Sequence, residues 1–175
     1  MQDRCEDVAQ GAMECPIDWE NWKWDIHATL LFVVRGGEIL LIRKKRGIGA
    51  GKVNGPGGKL EQGETPLQCA IRETEEELKV TPIGAKKMGE LSFAMSDSPD
   101  IFCHVFKADD VIGIPEETDE AIPLWTKIGD IPFAQMWEDD QYWLPQMIAG
   151  TTFRARFAFV GEKISWSEVC FDVIW

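Results

Sequence analysis

Three carboxylates, Glu73, Glu76 and Glu77, sit in a stretch of good helix formers at the i, i+3, i+4 spacing that stacks side chains along one stripe of a helix. Like charges so placed repel by about 0.2–0.5 kcal/mol per pair on an exposed helix. Arg72 can pair with Glu76 one turn on, but one guanidinium cannot neutralise three acids that share a side with Glu64. A divalent cation can. Held by Glu73, Glu76 and Glu77, it would screen an anionic substrate and acidify a water. A carboxylate must then take the water's proton, and Glu73, Glu77 and Glu120 are the candidates. Glu120 enters because it would reach such a site from outside the helix, out of the acidic loop Glu116, Glu117, Asp119, Glu120.

The elements that must position these groups are legible nearby. Thr65, Pro66 and Gln68 mark a helix start, with threonine and glutamine three apart forming a capping box and proline at the first helical position. Leu67, Ala70, Ile71, Thr74 and Leu78 form the stripe expected to pack on the domain. Ahead of them, RKKRGIGAGKVNGPGG joins four consecutive basic residues to six glycines in an otherwise acidic chain. Glycine lets backbone amides close on an anion and lysine supplies point charge, so a phosphate-approach loop is expected here. His27 to Val34 and Ile39 to Ile42 read as a hairpin turning at Gly36-Gly37, with Thr29, Leu31 and Val33 on one face.

Met88 to Met95 and Ile101 to Phe106 read as two further strands across a Ser-Asp-Ser-Pro turn. Then IPFAQMWEDDQYWLPQMIAG gives an aromatic-rich approach to a second helix, which Asp139 or Asp140 would cap and whose early turns Pro145 disturbs. Phe153, Ala155, Phe157 and Phe159 alternate with Arg154 and Arg156 as a half-buried strand, and a last apolar strand runs to Trp175. Strands on both sides of two helices imply an α/β sandwich with a mixed sheet. The first 25 residues read as an extension, 1–25, ahead of a domain at 26–175. Trp19, Trp22 and Trp24 there would cover an exposed edge or border a cleft.

A net charge of −12 and a pI near 4.6 argue against a broad nucleic-acid or anionic-membrane surface, which needs clustered lysine and arginine. No run approaches membrane-spanning length, and the N-terminus MQDRCEDVAQ has no apolar core of a signal peptide. The five cysteines are scattered, without the close pairs of a zinc site, so reduced thiols in a cytoplasmic monomer are expected. The two histidines, His27 and His104, read as structural.

The spacing from Gly58 through Glu64, Arg72, Glu73, Glu76 and Glu77 resembles the Nudix box. Two positions depart from it: Lys79 stands where the family usually has glycine, so no left-handed glycine is expected to close the helix, and Thr74 replaces a larger aliphatic residue. The resemblance implies a Nudix-type α/β/α sandwich and magnesium-dependent cleavage, with manganese as a substitute, a backbone carbonyl of Gly57 or Gly58 joining Glu73, Glu76 and Glu77 on the metal and Arg72 orienting the glutamates. From about Thr29 to Phe159 the chain is similar to the branch that hydrolyses oxidised purine nucleoside triphosphates to monophosphate and pyrophosphate. That branch implies a base pocket at Thr29, Asn54, Phe93, Trp137, Asp139, Asp140 and Trp143, with Lys44 nearby. Ile48 and Met95 replace two of its aromatics, which would loosen the stacking walls. The residues make the same case: tryptophan faces suit a purine, an amide and two acids can read its edge, and adjacent buried acids resist joint ionisation. Other Nudix substrates, such as dinucleoside polyphosphates, nucleotide sugars or unmodified triphosphates, are the rival reading, and a silent nucleotide sensor the rival from another class.

Overall fold

Alternation along the first long strand decides the layering. In the computed structural model, which describes residues 4–6 and 14–175, β1 is Arg4–Glu6, β2 Ile26–Arg35, β3 Glu38–Lys44 and β4 Val53–Asn54. Helix α1 (Pro66–Leu78) follows, then β5 (Thr81–Ile83), β6 (Lys86–Met95), β7 (Ile101–Ala108), β8 (Asp110–Ile112) and β9 (Ala121–Lys127). Two single 3₁₀ turns lead into α2 (Asp140–Ile148), and β10 (Phe153–Val160) and β11 (Lys163–Phe171) close the chain. Leu31, Val33, Leu40 and Ile42 pack with Ala70 and Leu78 of α1, whereas Phe32, Ile39 and Leu41 pack with Trp143, Leu144 and Met147 of α2. Neighbouring residues of one strand therefore serve opposite cores, and the sheet is the middle layer of an α/β/α sandwich.

The main sheet runs β1-β11-β10-β6-β7-β2-β3-β4, with β9 on the other edge of β3. It is mixed: β2 runs parallel to β7 and β10 parallel to β6, while β6 and β7 are antiparallel. Strands β5 and β8 form a separate pair. Among the described residues no helix is long and apolar enough to cross a membrane.

The capping box forms as read: the Thr65 hydroxyl accepts from Gln68 N at 3.2 Å and the Gln68 side chain accepts from Thr65 N at 2.9 Å. The buried face of α1 differs from the expected stripe, because Leu67 is exposed while Cys69, Ala70, Thr74, Glu77 and Leu78 are buried. Thr74 replaces its missing aliphatic bulk with a bond from its hydroxyl to the Ala70 carbonyl at 2.7 Å. As expected, no glycine closes α1, yet its end is left-handed all the same. Lys79 itself takes the left-handed conformation, φ 60°, with its N–H bonded to Glu75 O. A residue with a Cβ there costs about 1 kcal/mol. Lys79→Gly is therefore expected to raise stability by about 1 kcal/mol, a shift in Tm of roughly 2–4 °C read in a thermal melt.

Trp19, Trp22 and Trp24 cover the sheet rather than the cleft. Trp19 packs against Trp22 and against Trp166 of β11, and Trp24 lies 4.9 Å from Phe102 of β7, ring centre to ring centre. One thiol expectation fails: Cys170 is disulfide-bonded, whereas Cys15, Cys69 and Cys103 are free. In the pairing of β1 with β11, Cys5 is the residue opposite Cys170.

Candidate active site

The loop at Pro56–Lys59 is laid along β2. Leu31 N donates to Pro56 O and Thr29 N to Gly58 O, both at 2.9 Å, and Leu60 N donates to His27 O. The approach leaves no room for side chains: a Cβ on Gly57 would stand 2.0 Å from the Thr29 carbonyl oxygen, and one on Gly58 2.3 Å from the Glu73 carboxyl carbon. Two glycines thus let a backbone carbonyl and the Glu73 carboxylate share one corner.

Arg72 organises that corner. Its guanidinium donates to both oxygens of Glu64, at 2.8 and 3.0 Å, to Glu73 at 2.8 Å, to Glu76 at 3.2 Å and to the Lys59 carbonyl. The bond to Arg72 holds the Glu64 carboxyl down at about 2, so Glu64 is a fixed anion that anchors the arginine. Glu77 is buried, accepts Gly57 N–H at 2.9 Å and lies 3.8 Å from Lys44 Nζ. Burial pushes its carboxyl up to about 7 and raises Glu73 as well, and the charges of Glu73 and Glu120 add to the strain on Glu77.

This donor set fits a hard divalent cation in kind: carboxylates and carbonyls only, with more buried negative charge than the adjacent cations compensate. Among the described residues, no three His, Cys, Asp or Glu side chains converge at ligand distance as they stand. The reason is visible in Arg72, which draws Glu73 and Glu76 towards itself; Glu76 is 55% exposed and free to turn. Of the two glycine carbonyls, that of Gly58 already accepts the Thr29 N–H.

A cavity of about 580 Å³ opens from this corner between the sheet and α2, large enough for a nucleotide base and sugar. Glu73, Glu77, Glu120, Lys44 and Arg46 line one end, and Asn54, Phe93, Trp137, Asp139 and Asp140 the other. Asp139 and Asp140 are both buried, at 2% exposure. Asp139 accepts from Trp143 Nε1 at 2.9 Å, and Asp140 accepts from Trp137 N at 3.0 Å. Neither acts as the expected side-chain cap of α2. Burial raises both carboxyls, Asp139 to about 6 and Asp140 further because its neighbour's charge adds to the effect.

A NUDIX domain match spans residues 25–147. The chain belongs to the NUDIX family. Its relatives include the oxidized purine nucleoside triphosphate hydrolase of Danio rerio, 44% identical over 78% of this chain and 88% of the relative. The enzyme of that name from Mus musculus is 42% identical over 75% of this chain and 85% of its own length. Among solved structures, a MutT protein from Bacillus halodurans superposes with a TM-score of 0.74 at 22% identity, covering 82% of this chain and 97% of that one. It shares the fold. NUDIX hydrolases generally use divalent metal ions, which agrees with the all-oxygen corner.

Within this NUDIX site most of the residues singled out from sequence meet in one cavity; Arg72, Glu76 and Trp143 do not line it, and Thr29 lines it with its hydroxyl turned away. Trp143 is fully buried, stacked on Phe153 at 5.0 Å, and reaches the cavity only by holding Asp139. Thr29 borders the cavity, yet its hydroxyl lies 3.3 Å from Cys69 Sγ, towards α1. The basic run divides. Lys45 and Arg46 pair with Glu117 and Glu120, and Arg43 bonds Gly51 O and Gln135, leaving Lys44 beside Glu77. Leu30, Cys103 and Phe159 also line the cavity and were missed. Strict alternation from Thr29 and Leu31 would have found Leu30; Phe159 needed the parallel pairing of β10 with β6, which no local pattern announces.

Proposed function

We propose that this chain hydrolyses oxidised purine nucleoside triphosphates to the monophosphate and pyrophosphate with Mg²⁺, Mn²⁺ substituting, as a monomer. The observation that carries the reading is two adjacent buried carboxyls at the far end of the same cavity that begins at Glu73 and Glu77. At neutral pH one carboxyl of this coupled pair keeps a proton and donates, while the other accepts. Asn54 completes the set: its Oδ1 takes the Gly55 N–H at 2.8 Å, so its Nδ2 is the end left to donate to a base carbonyl. Trp137 forms a wall, held by Phe159 edge-on at 6.1 Å and by Lys52 over its ring at 4.8 Å.

At the other end, Glu73, Glu76 and Glu77 with a Gly57 or Gly58 carbonyl would hold the cation. A bound Mg²⁺ supplies charge screening for the triphosphate and lowers the pKa of a coordinated water. Arg72, anchored by Glu64, holds Glu73 and Glu76 by hydrogen bonds until a cation competes for them, and Lys44 adds positive charge beside Glu77. The proton acceptor is Glu73, Glu77 or Glu120; Glu73 and Glu77 have the raised basicity the task requires. A kinetic panel of normal and oxidised purine triphosphates in Mg²⁺, with product analysis, tests the reading. Oxidised purines should lead in kcat/KM and pyrophosphate should be the first product. Early orthophosphate, or a preference for dinucleoside polyphosphates or nucleotide sugars, would overturn it.

A further inference from the structure

The second polar cluster of the molecule lies on the sheet beside the tryptophan cover and takes no part in the chemistry above. His27 of β2 and His104 of β7 point their Nε2 atoms at each other, 2.8 Å apart. The parallel register puts His27 opposite Phe102 and His104 opposite Thr29, so the two rings are diagonal neighbours on one face. Behind His104, Glu90 of β6 is its cross-strand partner, with Oε1 4.0 Å from His104 Nδ1. That Nδ1 is buried and has no hydrogen-bond partner. Trp24 and Phe102 wall the pair, with ring centres 5.7 and 5.5 Å from His27.

We propose that His27 and His104 form a binding site for a borderline transition cation, Zn²⁺ or Cu²⁺, separate from the carboxylate corner. Metal–imidazole bonds of about 2.0–2.1 Å place two nitrogens on one ion about 2.9–3.4 Å apart, so the observed pair needs to open by only a few tenths of an ångström. The surroundings set the tautomer. Glu90 favours a proton on His104 Nδ1, which leaves His104 Nε2 with its lone pair as the acceptor from His27 Nε2–H. Ligation then requires only that His27 move its proton to Nδ1; each ring stays neutral and no proton is lost. Desolvation favours the neutral state of both rings. The carboxylate behind a ligating histidine is the arrangement that orients imidazoles towards metals.

Lys87 and Arg154 bond Glu90, at 2.6 and 3.2 Å, so the carboxylate is already compensated and no anion faces the ion directly. This balance gives selectivity. Mg²⁺, which needs oxygen ligands, gains nothing here, whereas imidazole suits Zn²⁺ and Cu²⁺. Two protein ligands leave the remaining positions to solvent.

The chain has two histidines in all, so long-range ¹H–¹⁵N spectra of the rings are unambiguous. Zn²⁺ is titrated into the untagged full chain in excess Mg²⁺. The expected result is that one equivalent moves Nε2 of both rings together to ligated values, with both Nδ1 protonated. His27→Phe, which can stack on Phe102 and Trp24, should lose at least tenfold in Zn²⁺ affinity while its melt is retained. Glu90→Gln should lose about 10- to 100-fold. The proposal is overturned if either ring keeps its free shifts at saturation, or if His27→Phe binds Zn²⁺ as the parent does.

Discussion

Glu77→Gln should abolish turnover, by on the order of 10³-fold in kcat, and leave the fold intact. Glutamine matches glutamate in helix propensity, and its carbonyl can still accept the Gly57 N–H that Glu77 accepts at 2.9 Å. What disappears is a charge that burial already penalises. The folded-state carboxyl stands at about 7, above its ordinary 4.5. The folded chain therefore binds the extra proton, and the stability this contributes is full below about pH 4.5 and lost as pH rises through 7. The loss is on the order of 3 kcal/mol for a group this buried. In metal-free buffer above pH 7 the variant should melt higher than the parent; below pH 5 the difference should vanish. Added Mg²⁺ should raise the parent's melt and hardly move the variant's, because only a ligand of the folded state shifts the transition. Turnover within tenfold of the parent, or an equal Mg²⁺ response, would remove Glu77 from the metal site.

The acidic helix was legible because charge spacing, capping residues and loop glycines are local features, and each has one physical consequence. Thr65 and Gln68 could be read directly as a cap, whereas Gly57 and Gly58 were read within a phosphate-approach loop and the close approach they permit is to the Thr29 carbonyl and the Glu73 carboxyl. Reading failed where tertiary context chose among equal options. Leu67 stands outside the core while Cys69, two residues on and about 200° round the helix, is buried against the Gly58 carbonyl of the loop. Lys79 adopts the left-handed turn that glycine would favour, because the chain must reverse into β5 whatever residue stands there. The histidine pair was invisible for the same reason: 77 positions separate its members, and only the parallel register of β2 with β7 joins them.

Asp139→Asn and Asp140→Asn should strip the preference for oxidised over normal purines while sparing metal-dependent hydrolysis. Either asparagine can keep the structural bond its parent makes, to Trp143 Nε1 at 2.9 Å or to Trp137 N at 3.0 Å, by presenting its carbonyl oxygen. It then offers the cavity a fixed NH₂ donor in place of a carboxyl that can gain or lose a proton. A base edge that needs the missing acceptor leaves buried polar groups unpaired, and such a mismatch costs roughly 10²- to 10⁴-fold in kcat/KM. Because the carboxyls titrate as a pair, with Asp139 raised to about 6, the parent's ratio between oxidised guanine and oxidised adenine should drift as pH crosses 6. Asp139→Asn removes the carboxyl raised to about 6, so its ratio should be flat over the same range, whereas Asp140→Asn keeps that carboxyl and should keep the drift. kcat/KM for four purine triphosphates at pH 5.5, 6.5 and 7.5 reads both effects in one grid, with each comparison made between substrates at a single pH so that changes in the carboxylate corner cancel. Ratios equal to the parent's at every pH would mean that the two aspartates only brace Trp137 and Trp143, and that the base is read by Asn54 and the cavity walls.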